Sequence, residues 1–211
     1  WHISCLQSCY KEDAQELYQR QYAWRVTPQL ELLWEDIERA IDRLNSDRST
    51  LTPHFMGAMV INQLKTFGKQ VQAYEIIDGQ QRLTTFQLLL SAIRDVARAH
   101  GSKYADELQK YLLNDGVMED GEVERYKLWP SLTDRRSFVS IVDPGVDADA
   151  ITVKPTDEDG FVRRSVAAHA FFRDLGEEPT GNVLDAAYLA ARFAGKAQPL
   201  KSALLDQKNI A

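Results

Sequence analysis

Cysteine, methionine and histidine are scarce in these 211 residues, at two, three and four copies. Cys5 and Cys9 are too few for a disulfide scaffold and fit a reducing compartment, so a cytoplasmic protein is expected. Even with His2 nearby they fall short of a closed four-ligand zinc site, and no second pair follows at zinc-ribbon spacing; two ordinary thiols are the simpler reading. His2, His54, His100 and His169 share no metal spacing. Long apolar runs are missing too. "LLL" at Leu88 to Leu90 is among the longest, whereas a membrane span needs ~20 such residues, so no transmembrane helix is expected. Net positive charge is lacking: the formal value of −6 argues against a polyanion-coating surface, so any nucleic-acid contact must be focal. The opening "WHISCLQSC" has no initiator Met, basic n-region or apolar h-region. It reads as neither a signal peptide nor an intact native terminus, and a fragment is expected.

What is present suffices for a substantial core, since 44% of the residues are hydrophobic against 27% charged. After Thr27 and Pro28, apolar residues at Leu30, Leu33, Trp34, Ile37, Ile41 and Leu44 fall on one face of a helix ending near Asn45. "HFMGAMVI", His54 to Ile61, predicts a buried strand and "QAYEII" a second. "LTTFQLLLSAIRDVARAHG" predicts a long helix with Leu83, Phe86, Leu90, Ile93 and Ala97 on its core face. Leu89, Ala92 and Val96 widen that stripe, and Gly101 supplies the stop. "VERYKLWP" predicts a short strand, and "TDRRSFVSIV" a helix opened by Thr133 or Asp134. Residues 144–160, acidic and rich in turn formers, predict a loop or linker. The remainder, 161–211, carries helical patterns such as "FVRRSVAAHAFFRDL" and "VLDAAYLAARFAG". The fold class is therefore α+β with a mainly helical C-terminal extension.

The chemistry concentrates where the second strand meets the long helix, in "YEIIDGQQRLTT". A helix opening shortly after Arg82 places Asp78, Gly79, Gln80, Gln81 and Arg82 beside unsatisfied helix N–H groups, a favourable place for an anion. Gly79 permits close approach to the backbone, and Arg82 offers a planar fork of donors to phosphate. The two glutamines can donate or accept, and Asp78 can hold hydrated magnesium or orient a water. A capped strand–helix turn, with Arg82 paired to a surface acid, is the competing structural account. No Walker loop is present, because the glycine spacing and lysine are missing. "DEDG" and "EDGE" lack the EF-hand pattern, and no nucleophile-elbow motif accompanies the serines.

A second cluster, "LYQRQYAWRVTP" from Leu17 to Pro28, interleaves Arg20 and Arg25 with Tyr18, Tyr22 and Trp24. Rings beside guanidinium groups suit stacking on a base or enclosing a backbone phosphate. A packed aromatic edge with solvated arginines would show the same pattern.

Taken together and in order, "YQRQYAW", "HFMGAMVI" and "EIIDGQQRLTTFQLLLSAIR" resemble the N-terminal domain of GmrSD-type modification-dependent restriction endonucleases. The resemblance covers Leu17 to Asp143, leaving 1–16 as a segment outside it. It implies a ParB/sulfiredoxin-like core that binds and hydrolyses a nucleoside triphosphate with magnesium. It also implies a bacterial anti-phage role against DNA with modified bases or a phosphorothioate backbone. On this footing Asp78, Gln81 and Arg82 are expected to be catalytic, with Asp78 the magnesium ligand. Gly79, Gln80, Gln81, Arg82, Gln19 and Arg20 are expected to bind nucleotide. DNA contacts are expected from Tyr18, Gln19, Arg20, Tyr22, Trp24 and Arg25. Two features of relatives are absent, a motif resembling "FExLNxxG" and an HNH-type nuclease, so the nuclease is expected beyond Ala211 or on a partner subunit. Homo-oligomerisation is left open by the sequence. The alternative is a non-enzymatic module gripping modified DNA or a nucleotide in the same groove.

Overall fold

The computed structural model describes residues 5–7, 20–46, 57–68, 70–143 and 163–177. Tyr18, Gln19, Cys9, His2, residues 54–56, the 144–160 stretch and "VLDAAYLAARFAG" lie outside the described residues. In chain order the elements are β1 (Cys5–Gln7), α1 (Glu31–Ser46), β2 (Val60–Gln63), β3 (Ala73–Asp78), α2 (Gln80–Ala99), α3 (Tyr104–Gln109), β4 (Leu128–Trp129), α4 (Leu132–Val142) and α5 (Arg164–Glu177). The fold class is α+β, as expected.

The strands form one mixed sheet in the order β2-β3-β1-β4. β1 runs parallel to both neighbours, with Gln7 level with Glu75 on one side and Trp129 on the other. β2 is antiparallel to β3, and the ladder is irregular between Val60 and Ile61. The sequence places β2 too early. Gly57 to Met59 are irregular and the strand starts at Val60, because Gly57 sits at φ 90°, outside the extended conformation of a strand.

The three parallel strands end on one edge, and α2 starts there, one residue after β3. Its buried set includes Thr85, Leu88, Leu89, Ala92 and Val96. Leu90 belongs to that set, while Leu83, Phe86 and Ile93 are partly buried and pack against it. Ala97 is buried with Leu90 on the expected face, and Leu89, Ala92 and Val96 beside it are buried as expected, so with Thr85 and Leu88 the helix is covered on much of its circumference. Two small polar residues conceal part of that cover from a hydropathy reading: Thr85 Oγ1 donates to the Gln81 carbonyl and Ser91 Oγ to that of Gln87, each at 2.8 Å. With their polarity satisfied within the helix, both can be buried. At the other end the Ser102 N–H reaches the Ala97 carbonyl at 2.8 Å and the Gly101 N–H that of Arg98 at 3.0 Å. Gly101, at φ 66°, closes this Schellman motif.

The core runs from Leu30 through Leu88, Leu112, Leu128, Phe138 and Ile141 to Ala168 and Phe172. α5 is part of it, and Trp34 of α1 meets Phe172 with ring centroids 6.4 Å apart. α4 begins at Leu132, earlier than expected, with Ser131 as its cap residue. Asp134 is drawn away from capping because its carboxylate accepts the Tyr22 N–H at 2.7 Å. No helix among the described residues is long and apolar enough to cross a membrane.

Candidate functional site

The polar junction forms at the carboxyl ends of the parallel strands, the edge at which open sheets with parallel strands present ligand crevices. Asp78 ends β3 with its side chain 70% exposed. Gly79 follows at φ 104°, and a β-carbon there would sit 2.9 Å from Met59 Cγ. Conformation and space both require glycine. α2 opens at Gln80 rather than after Arg82, so Gln80, Gln81 and Arg82 form its first turn. They sit at the positive end of the helix dipole.

Arg82 folds back over the junction. Its Nη2 donates to Asp78 Oδ2 at 3.3 Å and to the Ala58 carbonyl. The guanidinium lies against Gly57, where a β-carbon would collide with Nη1. Gly57 therefore belongs to the site, a role the sequence reading did not give it. The available signal was an isolated glycine in a strand pattern, which marks a close approach to the backbone. Gln81 holds the other motif block: its Oε1 accepts the Ala23 N–H at 2.7 Å, and its Nε2 donates to the Gln21 carbonyl at 3.3 Å. The segment from Arg20 is thereby fixed against the first turn of α2. Gln80 is half-buried beside it.

Within that segment the chain is extended and its side chains alternate, which divides the expected aromatic and arginine surface in two. Arg20, Gln21, Ala23 and Arg25 face outward; Tyr22 and Trp24 face inward. Tyr22 is 3% exposed, which removes its ring from the expected DNA contact. Its hydroxyl lies 2.8 Å from Thr85 Oγ1. Because Thr85 already donates to Gln81, the phenol is the donor of that bond. Burial, reinforced by the nearby Asp134 charge and opposed by the Thr85 bond, pushes the Tyr22 phenol up to about 12. Trp24 packs on the core from a partly buried position. Arg164 of α5 donates to the Ala23 carbonyl at 2.6 Å. Arg20 and Arg25 remain as outward cations; Tyr18 and Gln19 fall outside the described residues.

For a metal ion the junction offers the Asp78 carboxylate. Among the described residues no group of three His, Cys, Asp or Glu side chains comes together. A single exposed acid fits magnesium, which keeps its waters and binds through one or two carboxylates plus substrate phosphates. It does not fit a caged structural metal.

A chain with this mixed sheet and polar strand–helix junction matches, over residues 6–193, the family model of the GmrSD restriction endonuclease N-terminal domain. The chain belongs to that family, and so to a component of restriction systems. A 49-residue stretch, 23% of the chain, is similar to another class of protein. It is 78% identical to formamidopyrimidine-DNA glycosylase of Sinorhizobium fredii (strain NBRC 101917 / NGR234) and covers 17% of that enzyme. With the glycosylases of Sinorhizobium medicae (strain WSM419) and Rhizobium etli (strain CIAT 652) the identities are 76% and 80%, covering 16% and 17%. The chain thus spans about a sixth of the length of these curated relatives. Being longer than either stretch outside residues 6–193, the glycosylase-like segment overlaps the family match.

Proposed function

We propose that this chain is the nucleoside triphosphate-binding and hydrolysing sensor domain of a bacterial anti-phage restriction system. It acts on DNA with modified bases or a phosphorothioate backbone and is coupled to a nuclease outside this sequence. The observation that carries the proposal is the meeting of the Asp78 to Arg82 block with the Arg20 to Arg25 segment at the carboxyl edge of the parallel strands, in a chain of the GmrSD family. Phosphate would enter over the first turn of α2, where the helix N-terminus favours an anion, the Arg82 fork provides donors and Gly79 gives room. Arg82 is paired within the chain, so the incoming phosphate exchanges with the Asp78 carboxylate and the Ala58 carbonyl. Magnesium, when bound, would be held by Asp78 and neutralise phosphate charge. Asp78 is also the acid placed to orient a water. Gln80, Gln19 and Arg20 complete the nucleotide contacts, and Arg20 and Arg25 with Tyr18, Gln19 and the edge of Trp24 supply the DNA contacts. The glycosylases' name is a second pointer to DNA, but 17% of such an enzyme carries no glycosylase chemistry to this chain.

One observation favours a binding-only version of the site. Both ends of the Gln81 amide are engaged by the Gln21 and Ala23 backbone, so its orientation is set by the fold, and only its second N–H and second lone pair are left to meet a ligand or water. The two readings separate on magnesium-dependent phosphate release by the purified chain, with phosphorothioate, base-modified or unmodified duplex added. Release stimulated by modified DNA supports the sensor. Tight nucleotide binding without release leaves the binding module. Neither binding nor release removes both.

A further inference from the structure

Two strands across from β3, the same carboxyl edge of the sheet carries a second set of donors that the site above does not use. Trp129 ends β4 and is 7% exposed. Arg135, in the first turns of α4, lies over its ring with Cζ 4.7 Å from the centroid. Trp129 Nε1 and Arg135 Nε are both buried, and neither has a hydrogen-bond partner among the described residues. The nearest acid in sequence is occupied elsewhere: Asp134 Oδ2 accepts from Tyr22 N at 2.7 Å and Ser131 Oγ at 2.8 Å. Both orphan groups are obligate donors, since neither indole nor guanidinium nitrogen can accept. Leaving such a group buried and unpaired costs ~1–3 kcal/mol, so what the pair lacks is an acceptor. Stacking on the ring holds the guanidinium in one plane, which suits it to a planar, two-pronged grip on an oxyanion. Arg136 is exposed beside it.

We propose that Trp129 and Arg135 form a subsite for a phosphoryl oxygen, separate from the Asp78 to Arg82 junction. Trp129 is level with Glu75 through β1. Asp78 therefore lies two strand spacings away, about 10 Å, and three residues, about 10 Å, further along its strand. A repeating phosphodiester backbone reaches both places, which makes DNA the favoured source and a nucleoside triphosphate the other. The choice of source rests on the function proposed above; the subsite itself does not.

The test compares Arg135→Gln, Arg135→Lys and Trp129→Phe with the unaltered 211-residue chain. The probes are a phosphodiester DNA duplex, a non-hydrolysable nucleoside triphosphate with magnesium, and inorganic phosphate. Arg135→Gln should weaken duplex binding about ten-fold or more and lower the slope of log affinity against log salt by about one unit. Arg135→Lys, which keeps charge but loses the fork, should restore the slope and only part of the affinity. Trp129→Phe keeps the ring and removes a neutral donor, so affinity should fall with the slope unchanged. Loss of triphosphate binding with duplex binding intact would assign the subsite to nucleotide. If the unaltered chain bound neither polyphosphate, the function proposed above would fall, and thermal protection by inorganic phosphate, lost in Arg135→Gln, would still uphold the subsite. A folded Arg135→Gln chain matching the unaltered one with all three probes would overturn it.

Discussion

Two arginines sit three turns apart on α2 and lead opposite lives. Arg82, in the first turn, keeps 24% of its side chain exposed and pairs with a carboxylate that is itself 70% exposed. Arg94 is fully buried. Its Nη1 donates to Gln109 Oε1 at 3.0 Å and the Val142 carbonyl at 2.6 Å, its Nη2 to the Ile141 carbonyl at 2.9 Å, and its Nε to Asp95 at 2.8 Å. Burial pulls the Arg94 pKa down while the Asp95 charge, its hydrogen bond and the nearby Asp143 act against this. Asp95 then carries the network to α5 by accepting from His169 Nε2 at 2.9 Å. For Asp95 itself, burial acts to raise the pKa, but the His169 bond and the Arg94 charge outweigh it and hold the carboxyl below its usual value. The difference lies in the partners. Arg94 is satisfied by fixed backbone carbonyls at the end of α4 and ties three helices together, whereas Arg82 has partners that a ligand can displace.

The largest expected effect breaks the buried member. Arg94→Met leaves two helix-end carbonyls without this donor and Asp95 with His169 alone, and removing one partner from a buried charged network costs ~3–5 kcal/mol. A urea midpoint should show that loss, and a loss below ~1 kcal/mol would mean the network is not structural. Next comes Asp78→Ala. If this acid orients water or holds magnesium, turnover falls ~100-fold or more, while triphosphate affinity is nearly retained because Arg82 loses its internal competitor. Equal turnover in single-turnover assays would take catalysis away from Asp78. Arg82→Ala is the direct counterpart of the Arg94 change. Exposed ion pairs add only ~0–1 kcal/mol to stability, so the fold should survive, whereas triphosphate affinity should drop ~10–100-fold from loss of a charge-assisted contact. Unchanged affinity in calorimetry would make Arg82 a capped-turn residue.

The sequence showed the Arg82 half of this comparison and concealed the Arg94 half. A glycine between an acid and two glutamines, in front of an apolar helix, is a local pattern, and the α+β class, the junction and the Gly101 stop are all local patterns too. Arg94 reads as a polar interruption of the apolar stripe. Its partners Ile141 and Val142 are carbonyls 47 and 48 residues away, and backbone acceptors have no residue-type signature. Gln81 hides a structural bond for the same reason: its type suggests chemistry, while the partners found for it are the backbone of Gln21 and Ala23. Tyr22 and Trp24 were legible as aromatics beside arginines, but the parity of an extended segment fixes which side they face. Parity emerges only once a neighbour such as Thr85 is placed.

Tyr22 gives the smallest effect and the finest test of where the core stops and the site begins. Its phenol is pushed up to about 12 by burial first, against ~10 in an unfolded chain. Between those values the unfolded state has released the proton and the folded state still holds it, so stability falls as pH rises. The contribution is complete below pH ~10 and lost by about 12. Tyr126, raised to about 12 by its own burial and by Asp143, produces the same fall. Tyr22→Phe should therefore cost ~1 kcal/mol at neutral pH, the value of one hydrogen bond to Thr85, and should remove about half of the alkaline loss these two phenols cause. Urea unfolding at several pH values between 9 and 11.5 reads both numbers, and duplex affinity should stay unchanged because the ring faces inward. If the variant instead kept the full alkaline slope and lost DNA affinity, Tyr22 would leave the core and join Arg20 and Arg25 on the outer face.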